Sequence, residues 1–191
     1  TKLYVSVVYR KNLFIKNGTN PGHLYAYGSY GEDVDVDYDK YIISLLDRGY
    51  IYAIAHVRGS SYLGKQWYEQ GKLMKKKNTF KDFIKCSEYL IQNNYISKQK
   101  LSISGGSAGG LLIGAVINKK PSLYKTAILE VPFVDCLTTM LDSSIPLTTG
   151  EYEEWGNPEK YKTFYKYILS YSPIDNIKNK LYPNILITSG I

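Results

Sequence analysis

The chain has 191 residues, 44% of them hydrophobic and 21% charged, with a formal net charge of +7. That length buries one substantial core, so a single globular domain is expected rather than a disordered or fibrous chain. No apolar run reaches the ~18 residues of a membrane-spanning helix, no export signal opens the sequence, and no recognised nucleic-acid module accompanies the positive charge, so neither membrane nor nucleic acid is an expected partner.

Apolar and β-branched runs bounded by turn residues predict strands at Leu3 to Tyr9, His23 to Tyr27, Tyr50 to His56, Leu101 to Ser104, Lys125 to Val131 and Asn184 to Ser189. Three helices are predicted among them. Tyr41 to Leu46 is short and ends near Gly49. Thr79 to Ile91 carries Phe80, Phe83, Ile84, Ser87, Leu90 and Ile91 on one face, with Thr79 and Asp82 spaced as a capping pair. Gly110 to Ile117 is apolar nearly all round and is therefore expected to be buried. Strands alternating with helices predict an α/β fold with a mostly parallel sheet and helices on both sides.

Charge and sulfur add less. Cys86 and Cys136 have no metal-ligand partners in the sequence and read as reduced thiols of a cytoplasmic protein, with no metal and no cofactor expected. The run Lys75-Lys76-Lys77 reads as a solvated basic face. Acidic residues are more telling: Glu32, Asp33, Asp35, Asp37 and Asp39, then Glu151, Glu153 and Glu154, supply 8 of the 17. Two short acidic segments in a basic chain call for a reason.

Chemistry is carried by Gly105-Gly106-Ser107-Ala108-Gly109-Gly110, which joins the strand at Leu101 to the apolar helix. Gly-x-Ser-x-Gly between strand and helix is a nucleophile elbow: the serine occupies a strained turn, and glycines two residues away on either side remove the collisions that side chains there would cause. The turn also sets Ser107 where free N–H groups and the helix dipole favour negative charge. A glycine-rich phosphate turn is the competing reading, but the dinucleotide fingerprint belongs to the first strand–helix turn and this one comes late. A serine hydroxyl needs a base, and the base a carboxylate. His23 and His56 both precede Ser107, whereas this fold orders its triad Ser, acid, His. Both histidines therefore read as structural, and the triad's Asp and His are expected in sequence beyond position 191.

The extended elbow Ser104 to Gly110, with Tyr25-Ala-Tyr-Gly-Ser-Tyr-Gly31 and His56-Val-Arg-Gly59 upstream, resembles the prolyl oligopeptidase family of serine peptidases. Val131-Pro-Phe-Val-Asp135, Thr138 to Asp142, Pro146 to Glu151 and Glu153-Glu-Trp-Gly-Asn-Pro158 narrow the resemblance to its oligopeptidase B branch, which cuts short peptides after Arg or Lys. The resemblance implies an α/β-hydrolase catalytic domain over residues 1–191, incomplete at its C-terminal side, without the family's β-propeller, and inactive or nearly so as it stands. It implies Ser107 as nucleophile, Tyr27 and the Ala108 N–H as oxyanion donors, Glu151 and Glu153 at the P1 cation, and Asp35 and Asp37 at a basic P2 residue. One departure stands out: where the family usually has Arg-Gly-Gly-Gly-Glu, this chain has Arg58-Gly-Ser-Ser-Tyr62, which puts that loop's conformation in question. An esterase of the same fold and a non-catalytic interaction domain are the rival readings.

Overall fold

The computed structural model describes residues 1–190. Its strands are β1 (Tyr4–Val8), β2 (Gly22–Tyr25), β3 (Ile51–His56), β4 (Leu101–Gly106), β5 (Thr126–Glu130) and β6 (Asn184–Thr188), in one sheet of order β1-β3-β2-β4-β5-β6. Only β1 runs antiparallel, against β3; every other pair is parallel. All six stand where the apolar runs predict them, with ends displaced by one or two residues.

The helices are α1 (Ile43–Asp47), α2 (Lys65–Glu69), α3 (Lys77–Gln92), α4 (Ala108–Lys119), α5 (Cys136–Leu141), α6 (Thr148–Trp155) and α7 (Lys162–Leu169). From β2 the chain steps outward to β3, then back past β2 to β4 and on to β5. Because crossovers between parallel strands are right-handed, that reversal sets α1 on one face of the sheet and α3 with α4 on the other. The second face holds the core. Leu24, Ala53, Leu101, Ile103 and Leu129 from the sheet and Phe80, Phe83, Leu111, Leu112 and Val116 from the two helices are all buried, each such large side chain contributing roughly 1.5–3 kcal/mol. Residues 108–117 of α4 are buried without exception, as the all-round apolar pattern requires.

Two expectations change. Helix α3 begins at Lys77, because Leu73–Lys75 already form a 3-10 turn and Lys76 has helical backbone angles. Thr79 and Asp82 therefore cap nothing. Thr79 Oγ1 donates to the Arg58 carbonyl at 2.7 Å, and Asp82 holds the Arg58 guanidinium through two bonds of 2.7 and 2.6 Å. The second change concerns Lys75-Lys76-Lys77: Lys76 is 1% exposed, so the run is not a solvated face throughout. At the junction of the two helical turns its side chain enters the interior, where polar partners wait.

Candidate active site

Ser107 sits between β4 and α4 with φ 51° and ψ −115°, a conformation rare for a residue with a side chain, and is exposed. The neighbouring glycines make the turn possible. A Cβ on Gly105 would stand 2.5 Å from the Gly109 carbonyl oxygen, and one on Gly109 would stand 2.9 Å from the Ala26 carbonyl oxygen. Backbone bonds hold the turn from both sides: the Ser107 N–H donates to the Glu130 carbonyl at 2.9 Å, and the Ser107 carbonyl accepts from Phe133 N–H at 2.9 Å. The Ala108 N–H, first in α4, meets no acceptor among the described residues.

Tyr27 lies two residues past β2, not at a strand end, against the backbone of Gly109. Burial raises its phenol above the ordinary range, the Ser107 hydroxyl pulls it partly back, and Glu32, Glu151 and Glu154 push it up again. The phenol stays protonated and able to donate, beside the serine, in a field of carboxylates.

A cavity of about 310 Å³ opens beside Ser107, lined in part by Ala108, Tyr30, Val131, Phe133 and Glu151. Among the described residues six non-glycine positions have positive φ, and four of them line this cavity: Tyr30 at 59°, Ser107 at 51°, Val131 at 39° and Leu147 at 77°. Each such residue costs on the order of 1–3 kcal/mol and persists only where its surroundings over-determine it. The strain is gathered at one place.

The two acidic segments border this region. Glu151 Oε2 accepts from the Tyr30 hydroxyl at 2.6 Å and from Trp155 Nε1 at 3.1 Å. Both donors are neutral, and no lysine or arginine among the described residues pairs with Glu151. Glu154, absent from the sequence-derived site, is 3% exposed; it accepts from Tyr30 N–H at 3.2 Å and the Tyr68 hydroxyl at 2.7 Å, with Lys76 Nζ at 3.7 Å. Glu153 is exposed and does not line the cavity. On the far side of Tyr30 a more open trough of about 510 Å³ is lined by Tyr25, Tyr27, Tyr30 and residues 32–35, so Asp35 is present and Asp37, also exposed, stands outside it. Tyr30 is the wall between the two.

Neither histidine lines the cavity. His23 is held on β2 by Ser102 Oγ at its Nδ1 and Ser104 Oγ at its Nε2, both 2.8 Å away. Since Ser102 gives its proton to the Gly22 carbonyl, Nδ1 carries the ring proton and Nε2 accepts from Ser104. Burial lowers its pKa from 6.5 to about 4. Between those values the unfolded chain binds more protons than the folded one, so stability should fall by about 3 kcal/mol as the pH drops through that window. Urea unfolding at pH 7 and pH 4.5 measures it; a His23→Asn variant with an unchanged acid loss would assign the effect elsewhere. His56 bonds Ser6 Oγ at 2.7 Å and stacks on Tyr62, ring centroids 3.8 Å apart. Tyr62 of the divergent loop is thus a lid on a structural histidine, while Gly59 still takes the Gly31 N–H at 3.0 Å and supports the turn after β2.

A mainly parallel sheet with a strained serine between an inner strand and a buried helix is an α/β-hydrolase fold. The chain belongs to the prolyl oligopeptidase family, whose profile matches residues 36–191. It is 51% identical over its full length to dipeptidyl aminopeptidase BI of Pseudoxanthomonas mexicana and 49% identical to protease 2 of Moraxella lacunata, of which it covers 26% and 27%. Oligopeptidase B of Leishmania major superposes with a TM-score of 0.94 at 52% identity, over 98% of this chain and 26% of that one. The same figures hold for oligopeptidase B of Trypanosoma brucei with covalently bound antipain. The chain thus spans about a quarter of the length of these relatives.

Proposed function

We propose that the complete protein containing this chain is a serine peptidase that hydrolyses short peptides after Arg or Lys. The observation that carries this reading is the carboxylate of Glu151, oriented by two neutral donors and left without a cation, in the same cavity as Ser107. A guanidinium entering the cavity completes that ion pair, and a cavity of about 310 Å³, near the lower end of ligand sites, takes one side chain rather than a large ligand. Glu153, exposed on the same helix, adds negative potential at longer range. Asp35, across Tyr30, faces the next residue of the substrate, and Asp37 extends the acidic rim.

In this mechanism the Ser107 oxygen bonds to the scissile carbonyl carbon while its proton passes to a base. The carbonyl oxygen becomes an oxyanion held by the Ala108 N–H and the Tyr27 hydroxyl. Collapse breaks the C–N bond, the amine leaves with the proton, and water then hydrolyses the ester. His23 and His56 are both engaged in the sheet, so the base and its carboxylate come from protein outside these 191 residues.

An esterase of this fold gains nothing from an unpaired carboxylate beside its nucleophile. The test sets the complete protein against an arginyl amide, an alanyl amide and a neutral p-nitrophenyl ester. The arginyl amide should be preferred over the alanyl amide in kcat/KM by about 10² or more, and a fluorophosphonate should label the protein at Ser107. Faster turnover of the ester with no preference for arginine would establish the esterase reading, and no labelling would establish the non-catalytic one.

A further inference from the structure

Lys76 is the fully buried base of a polar chain that reaches both cavities. Its Nζ donates to the Gly28 carbonyl at 2.7 Å and to Ser29 Oγ at 2.5 Å, the two residues that follow Tyr27. The same ammonium lies 3.7 Å from Glu154 Oε1 and 4.8 Å from the centre of the Trp155 ring, both on α6. Glu154 in turn accepts the Tyr30 N–H, and the Tyr30 hydroxyl and Trp155 Nε1 orient Glu151. One cation therefore touches both the turn carrying the oxyanion donor and the helix carrying the P1 carboxylate, and a single residue, Trp155, stands between it and Glu151.

We propose that Lys76 is a positioning residue for catalysis: its ammonium locks the turn from Tyr27 to Tyr30 onto α6, so that Tyr27 and Glu151 hold their places together. This rests on the peptidase reading above. The turn needs such a lock. Gly28 and Gly31 have positive φ, Tyr30 is strained at 59°, and the turn's carbonyl and hydroxyl face inward, where only a donor can satisfy them. Lysine suits the place because a buried cation answers a carbonyl, a hydroxyl, a carboxylate and an indole face at once. The groups facing it are Gly28 and Ser29 of the turn, Glu154 and Trp155 of α6, and Cys136 of α5, beyond which lies Tyr171. Burial raises both the thiol and the Tyr171 phenol, the thiol to about 12, so neither ionises near neutrality.

Burial also lowers the lysine itself, from 10.5 to about 8, against the opposing pull of Glu154. Between those values the unfolded chain binds the extra proton, so this group adds stability as the pH rises. A loss of turnover in the same range is then not a loss of fold.

The experiment uses the complete protein and Lys76→Met, which keeps length and apolar stem but removes the charge. With an arginyl amide, kcat should fall about 10- to 100-fold, the worth of a hydrogen bond to a charged group, with KM changed less than threefold. Hydrogen exchange should show lost protection at Tyr30 and Gly31 while β4 and α4 stay protected. In the unmutated enzyme kcat should decline as the pH rises through about 8, with the fold intact. Unchanged kcat and unchanged protection in Lys76→Met would overturn the proposal, as would protection lost equally in β4 and α4, which marks a general stability residue. Should the variant fail to fold, Ser29→Ala, which removes one of the two acceptors the turn offers the ammonium, takes its place, and unchanged kcat with unchanged protection at Tyr30 and Gly31 overturns the proposal. Absence of any Ser107-dependent turnover would instead refute the peptidase reading, and exchange at Tyr30 and Gly31 still decides whether Lys76 locks the turn.

Discussion

Ser107→Ala in the complete enzyme should lower kcat by ~10⁶-fold, the loss expected when one member of a nucleophile–base pair is removed. The variant should fold normally, because alanine occupies a backbone at φ 51° no less readily than serine and the side chain it loses is exposed. What survives should be ~10³–10⁴ over the uncatalysed rate, from the oxyanion donors and substrate binding alone. Tyr27→Phe provides the comparison. In the proposed mechanism it removes one donor to an anion that exists only in the transition state, so kcat should fall by ~10²–10³ with little change in KM. Steady-state kinetics and mass spectrometry of the fluorophosphonate adduct measure both. More than a hundredth of the wild-type kcat in Ser107→Ala would mean that another group attacks the substrate, and a KM effect alone in Tyr27→Phe would mean that the phenol only packs against it.

The strands and the elbow were legible because their signals are local. A β-branched run such as Thr126 to Glu130 or a glycine two residues from a serine makes the same demand wherever it occurs in a chain. Helix α6 was not. Thr148 to Trp155 has no apolar stripe and starts after Leu147 in a left-handed conformation, so its residues read as an acidic loop in which Glu151 and Glu153 are near neighbours. Once the segment is a helix, positions 151, 154 and 155 share a face and 153 turns away. That is why Glu154 and Trp155 are buried behind Glu151, which lines the cavity, and Glu153 is left in solvent. Tyr30 lay within a motif already singled out, but its position between two cavities depends on contacts more than 120 residues away in sequence. Lys76 is the sharpest case. A run of three lysines carries no mark that its middle member is buried, and only the meeting of the turn after β2 with α6 creates a place that needs a cation.

Glu151→Gln should separate specificity from catalysis. Glutamine keeps an oxygen for the Tyr30 hydroxyl and Trp155 Nε1, so the cavity wall survives and only the charge is lost. Truncating one partner of a charge pair that substrate has desolvated costs about 2–5 kcal/mol, which is a fall in kcat/KM for arginyl substrates of roughly 30-fold to several thousandfold. Neutral P1 substrates should respond differently. The Glu151 charge is one of three that oppose ionisation of Tyr27, and the same field opposes an oxyanion formed against that phenol. A bound guanidinium cancels it; an alanine side chain leaves it in force. Removing the charge should therefore leave kcat for alanyl substrates unchanged or somewhat raised while kcat for arginyl substrates falls. The two ratios, measured side by side with P2 held constant, decide the role of the residue. An equal loss for both substrates would show that Glu151 serves only to brace Tyr30 and Trp155, and the origin of any arginine preference would have to be sought in the acidic trough around Asp35.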